Sequence, residues 1–282
     1  MKNILVFIIS SSIFITSCER DVHNIILPDF VQKLVVHSFI SSYDSTSLVT
    51  ISSNQRIYGD LSITETPGIV SVTISNGVKE VSLRRVVAGY IFSHKDMPVE
   101  EGRTYKLTIT TDKGLKAEST CTVPVRRDFH LEIDTVWEYL EIPEAGSWDM
   151  IRTNIYLTDY PGEANYFRFA SKFLIYDPRY PDNLIMESSG DEPEFISDEG
   201  RNGARIFFNT TRVTDPSQHD SAFLVIYVLN TDKPYYTYHK SLDNYSGGDN
   251  PFSEVSPLYS NIEGGLGIFA SYVVDSLVFR LK

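Results

Sequence analysis

Between Leu34 and Val123 apolar and polar residues alternate with a period of two, and turn signals interrupt the alternation roughly every 8–15 residues. Val70, Val72 and Ile74 share one face and Ser71, Thr73 and Ser75 the other, and the run ends at Asn76–Gly77. That dipeptide is a strong signal for a two-residue hairpin. Val81 and Leu83 continue on a return strand, and Gly89-Tyr90-Ile91-Phe92 forms another. After a turn at Glu101–Gly102, Tyr105, Leu107 and Ile109 alternate with Lys106, Thr108 and Thr110. Asp112-Lys113-Gly114 then turns the chain into a strand that contains Cys121. A helix gathers residues three and four apart, so it cannot place such a pattern on one face. The first half is therefore expected to be a small antiparallel sandwich over 31–125, immunoglobulin-like or transthyretin-like, closed by Pro124 and Arg126-Arg127-Asp128.

The pattern restarts after Asp128. Phe129, Leu131, Ile133, Thr135 and Trp137 share a face, Ile151 to Leu157 alternates, and so does the run from Phe167 to Ile175. Ala222 to Leu229 is continuously apolar, the mark of a strand covered on both faces. One short helix is expected, with Asp232 as its cap, Pro234 in its first turn, and Tyr235, Tyr238 and Leu242 at helical spacing. A last strand carries Val273, Leu277, Phe279 and Leu281. The expected fold class is thus all-β, with a second β-rich domain over 129–282 that holds a single short helix.

The chain of 282 residues is long enough for two such cores. Its 17 Tyr and 16 Phe against 4 Met favour sheet over helix bundle. The formal net charge is −12, or −12 − 1 = −13 if Lys2 departs with a leader, and such a surface repels phosphate backbones. No nucleic-acid partner is expected.

The N-terminus has the form of a leader. Met1-Lys2 precedes an apolar run from Ile4 to Ile15, well short of the ~20 residues that span a bilayer. Ile15-Thr16-Ser17-Cys18 has the order of a lipobox: a branched apolar residue, two small residues, then cysteine. Residues 1–17 are expected to be a lipoprotein signal peptide, Cys18 the lipidated first residue of the mature chain, and 18–30 a tether. The lipid would be the membrane partner, since no basic patch is available for the purpose. Only Cys18 and Cys121 are present, so with Cys18 lipidated Cys121 has no intrachain partner and no disulfide framework is expected. Cys121 shares a face with Leu115, Ala117 and Val123 and is expected in the core.

Tyr235-Tyr236-Thr237-Tyr238-His239-Lys240-Ser241-Leu242, then Asn250-Pro251-Phe252-Ser253-Glu254, then Ser260 to Phe269 with its Gly264-Gly265-Leu266-Gly267 run make a distinctive C-terminal series. Leu34-Val35-Val36, Gly89-Tyr90, Glu101-Gly102-Arg103-Thr104-Tyr105 and Val123-Pro124 accompany it in the first half. Together they resemble the Bacteroidota lipoprotein family known as domain of unknown function 4249. The resemblance covers essentially the whole mature chain. It implies a lipoprotein of the outer membrane, on the cell surface or the periplasmic face, of a kind often encoded beside TonB-dependent receptors. It implies no catalytic residues.

The Gly264–Gly267 run lacks the strand-glycine-helix context and the Lys-Ser/Thr of a phosphate loop, so close backbone approach or positive φ is the expected reason for its glycines. Its apolar neighbours Ile262, Leu266, Ile268 and Phe269 are expected to plug a core, leaving Tyr259, Asn261 and Glu263 for contact with a partner. The acidic stretch from Glu187 to Glu199 matches no calcium loop and reads as a solvated loop. The six histidines show no metal-ligand spacing, and no nucleophile elbow occurs. The expectation is a non-enzymatic protein without cofactor or metal, an accessory or ligand-capture subunit of a TonB-dependent uptake system. The alternative is a structural or adhesive surface lipoprotein.

Overall fold

A computed structural model describes residues 29–55, 67–127, 130–142, 146–158, 160–176, 184–188, 195–199, 203, 205–213, 221–245 and 257–280. The leader, Cys18 and most of the tether lie outside these residues, as do the Asn250–Glu254 motif and residues 189–194 of the acidic stretch.

The alternating runs of the first half become eight strands: β1 (Leu34–Ser41), β2 (Thr46–Ser53), β3 (Ile69–Ser75), β4 (Glu80–Ser82), β5 (Arg84–Val86), β6 (Gly89–Ser93), β7 (Thr104–Thr111) and β8 (Lys116–Thr122). β1-β2-β6-β5 lie side by side in one sheet and β4-β3-β7-β8 in the other. Between β4 and β5 the chain changes sheets at Leu83, whose N–H donates to Val72 O at 2.8 Å. First, second, fifth and sixth strands in one sheet facing third, fourth, seventh and eighth in the other is the immunoglobulin strand order, and it decides against the transthyretin-like alternative.

A tyrosine corner agrees with that order. Tyr105 lies at the start of β7 and is fully buried. Its hydroxyl donates to Pro98 O at 2.8 Å and accepts from Glu100 N at 2.7 Å, tying the β6–β7 connection to the core. Leu107, two residues on, occupies the place where antibody domains carry a disulfide cysteine, so apolar packing stands in for the bridge. Tyr105→Phe should lower stability by about 1–3 kcal/mol, because a buried N–H and C=O lose their partner while the ring stays. Chemical denaturation of wild type and variant measures it; equal midpoints would show that the corner contributes nothing.

The second half contains β9 (His130–Ile142), β10 (Gly146–Thr158), β11 (Tyr166–Tyr176), β12 (Leu184–Ser188), β13 (Phe195–Ser197), β14 (Arg205–Val213), β15 (Ser221–Thr231), the helix α1 (Lys233–Tyr245) and β16 (Gly265–Arg280). The sheet β14-β10-β9 packs on β11 and β15, and Ile151, Ile155, Leu157 and Phe208 meet Phe167, Phe169, Leu224 and Ile226 between them. Phe169 and Phe208 stack with ring centroids 3.9 Å apart.

β16 joins the halves. Its first part pairs in parallel with β1, from Leu34↔Gly265 to Ser41↔Tyr272, and its second part pairs antiparallel with β15, from Thr231↔Tyr272 to Phe223↔Arg280. One sheet therefore runs from β12 through β11, β15, β16, β1, β2 and β6 to β5. The core of the first sandwich takes Ile262, Phe269 and Val273 from the far end of the chain. Residues 31–125 thus do not bury their faces solely among themselves, as the alternation had implied. Parallel pairing between strands more than 200 positions apart leaves no mark on local periodicity. On the opposite face of this sheet α1 packs Tyr235 and Tyr238 over Phe39, Ile268, Ala270 and Tyr272. The expected cap holds: Tyr235 N–H donates to Asp232 Oδ1 at 2.9 Å.

Candidate functional site

Where β16 passes from one half to the other, a cleft of about 380 Å³ opens between the end of β8, the start of β11 and the end of β15. Asn165, Asn230, Asp232 and Lys233 line it, together with Glu163 and backbone from Thr122 to Val125. The linker between the halves forms one wall and is pinned by Arg126. Arg126 pairs with Glu101 at 3.5 Å on the first half and with Asp275 of β16 at 3.2 Å.

Asp232 is the most constrained group of the cleft. Its Oδ2 accepts from Ser271 N at 3.0 Å and from Ser271 Oγ at 2.9 Å, and its Oδ1 caps α1. Burial pushes its carboxyl up to about 7, against the pull of these hydrogen bonds. Ser271 Oγ also lies 2.9 Å from Thr122 O, so a hydroxyl with one hydrogen faces two acceptors. A protonated Asp232 resolves that conflict: the acid donates to Ser271 Oγ, and the serine donates to Thr122 O.

At the rim, Lys233 Nζ reaches Glu199 Oε1 at 2.8 Å, and Tyr166 OH donates to the same oxygen at 2.5 Å. These two partners hold Glu199 below its ordinary range, and Glu199 holds Lys233 above its own. Arg127 pairs with Glu163 at 2.7 Å. Asn165 Nδ2 donates to Glu163 O at 3.0 Å, and Asn165 N–H donates to Asp198 Oδ1 at 2.6 Å. Asp198 is 2% exposed, so this end of the acidic stretch is built into the structure rather than solvated. The void is of a size to admit a small polar ligand, while its Asn165 and Asn230 amides also donate within the fold, at 3.3 Å to Tyr160 O and 3.4 Å to Val125 O.

None of the three expected contact residues lies on the cleft. Tyr259, Asn261 and Glu263 lie on the segment that leads into β16. Asn261 is spent internally: its amide donates to Phe269 O at 2.7 Å and its carbonyl accepts from Phe269 N at 3.0 Å, replacing a neighbouring strand. Tyr259 is half-buried against the aromatic cluster under α1, and its N–H donates to Ser241 Oγ at 3.0 Å. Glu263 is exposed, while its backbone bridges to Glu118 of β8. Ile262, Ile268 and Phe269 are buried as expected, whereas Leu266 is 37% exposed.

The glycine run is a seam rather than a ligand rim. A Cβ on Gly264 would strike Lys116 O, and one on Gly267 would strike Val36 O, both far inside the 3.0 Å below which real Cβ atoms do not approach. Here β16 is pressed between β1 and β8. Cys121 is a free, buried thiol, and burial raises its pKa well above the ordinary value, in keeping with a core role. Among the described residues no group of three His, Cys, Asp or Glu could hold a metal ion, and no helix is long and apolar enough to cross a membrane.

Fold and cleft define a β-sandwich protein with an immunoglobulin-like first half and a polar waist. The chain belongs to the family described as Domain of unknown function (DUF4249), which matches residues 21–277. No curated protein matches it. A solved structure reported as "Structural basis for the promiscuous specificity of the carbohydrate-binding modules from the beta-sandwich super family" is similar at 12% identity and a TM-score of 0.22, over 71% of this chain and 97% of that one.

Proposed function

We propose that this chain is a lipid-anchored protein of the outer membrane, held through Cys18, that serves a TonB-dependent uptake system as a non-enzymatic accessory or ligand-capture subunit. The observation that carries the reading is where the polar cleft lies. The tether joins the fold next to Leu34, at the start of β1, and the cleft lies beyond the other end of that strand. Eight residues of β1 separate the two by roughly 25 Å. With the tether joining at one end, the recess lies at the end of the domain farther from the anchor. Lipid anchoring also raises the local concentration of membrane neighbours, so a weak interface with a transporter is occupied. The alternative, a structural or adhesive surface protein, needs no cleft.

Gentle detergent extraction followed by pull-down is expected to enrich a TonB-dependent transporter. Substitutions at exposed Glu263 and half-buried Tyr259 should weaken this without loss of folding in a thermal melt. Cys18→Ala should leave the protein unacylated and deplete the transporter from the pull-down. A pull-down without any outer-membrane transporter would leave the structural alternative in its place.

A further inference from the structure

The end of the first sandwich where the tether joins has a chemistry of its own. Leu34 pairs with Gly265 and with Ser53, and Gly264 abuts Lys116. Val86 pairs with Gly89 across a tip formed by Val87 and Ala88, and Tyr90 pairs with Val49. These registers bring the β5–β6 tip, the β7–β8 turn and residues 29–33 to one end. Asn54 pins the incoming chain there, accepting from Lys33 N at 2.8 Å and donating to Val31 O at 3.0 Å.

Two-residue hairpin tips favour Asn, Asp and Gly, which tolerate positive φ and mix with water. This one is Val87-Ala88, both exposed, with Val87 fully so. The strand leading into it begins Arg84-Arg85, both exposed and without an ion pair among the described residues. Val31 and Val70, 63% and 69% exposed, stand at the same end, as do exposed Lys33 and Lys113. Among the described residues the exposed acids at this end are Asp29, Asp112 and Glu263, and none lies on the hairpin. On a chain of net charge −12, an apolar tip beside two free guanidinium groups stands apart.

We propose that this hairpin is a membrane contact: Val87 and Ala88 dip into the headgroup layer of an anionic lipid surface, and Arg84 and Arg85 pair with its phosphates. The proposal rests on the lipid-anchor reading. A tether of about twelve residues spans at most ~40 Å, so the hairpin stays within reach of the surface that holds Cys18. Apolar side chains next to arginine suit the water-lipid boundary, where the cations meet anionic headgroups. Such a second contact would turn a loosely tethered domain into an oriented one, with its cleft facing outward.

The test places an environment-sensitive dye on Val87→Cys in the acylated full chain, reconstituted into phosphatidylcholine vesicles with or without phosphatidylglycerol. Val78→Cys, on the β3–β4 hairpin tip at the opposite end, is the control. The Val87 probe is expected to shift to the blue and be quenched by lipid-borne quenchers when anionic lipid is present, and the Val78 probe to remain in water. Arg84→Glu with Arg85→Glu should abolish the shift. The unacylated Cys18→Ala chain should still float weakly with anionic vesicles, losing about fivefold in affinity per arginine removed. A Val87 probe that stays in water on vesicles carrying the acylated protein overturns the proposal while leaving the anchor intact. If the native protein carries no acyl group, the anchor reading fails, and flotation of the unacylated chain then decides on the hairpin alone.

Discussion

Gly267→Ala should cost about 3–5 kcal/mol, a large share of the 5–15 kcal/mol that holds a domain folded. Two penalties coincide at this residue. Its φ of 106° lies in the region that L side chains avoid, and its Cβ would fall on the carbonyl oxygen of Val36, its partner across the β1–β16 pairing. Neither neighbour can yield, because Val36 is fully buried in the first core and Asn261 N–H binds Gly267 O at 3.2 Å from the other side. Gly77→Ala is the control. Its φ of 83° is also positive, but nothing lies within 4 Å of the added carbon, so only the backbone term of about 1–2 kcal/mol remains. Denaturant melts of both variants separate strain from collision. Equal losses would mean that the seam can open, and that the glycines serve something other than close approach.

This seam explains why the glycine run marks the chain so clearly in sequence while its meaning does not. Three glycines in four residues signal that backbone must come close to something. What it approaches, the carbonyls of Val36 and Lys116, lies more than 140 positions away and leaves no local trace. Strands with alternating faces were legible because burial on one side imposes the alternation directly: Val72, Ile74, Tyr105, Leu107 and Ile109 all lie in the first core. Asp232 and Pro234 were legible as a helix start because capping is local chemistry. The cleft was not. Asn165, Asn230 and Asp232 come together only after β11, β15 and β16 have paired, and each taken alone is an ordinary turn or strand-end residue. Asn261 misled for a related reason: a polar residue beside a glycine run looks available, yet both atoms of its amide are used on β16. Tyr105 could have been found, since a tyrosine at the start of a strand just after a Glu-Gly turn is the local form of a tyrosine corner.

Asp232 should make stability depend on pH in a direction opposite to that of a carboxylate held by an ion pair. Its carboxyl titrates at about 7 in the folded chain, raised from 3.8, so the folded state holds the proton more tightly than the unfolded one. The stabilisation this confers is complete below pH 3.8 and is lost as pH rises through about 7. A shift of this size corresponds to at most about 4 kcal/mol. The hydroxyl of Ser271 gives the structural reason, since it can serve both Thr122 O and Asp232 only when the acid supplies a hydrogen of its own. Other groups titrate nearby. Burial lowers His37 and His94, so their contribution grows as pH rises toward 6.5, with the opposite sign. Glu118, drawn down to about 2 by Lys106 and Lys116, acts only between there and pH 4.5. The difference between wild type and Asp232→Asn, followed from pH 5 to 8, cancels the histidines and avoids Glu118. Asparagine can still cap α1 through its carbonyl, but its amide then confronts the N–H of Ser271, a mismatch worth about 1–3 kcal/mol. Wild type is therefore expected to be the more stable at pH 5, and its advantage to shrink by about 2–3 kcal/mol at pH 8 as the buried carboxylate becomes charged. Parallel curves for the two proteins would show that Asp232 carries its charge throughout, and that the shared hydrogen of Ser271 goes to Asp232 while Thr122 O does without.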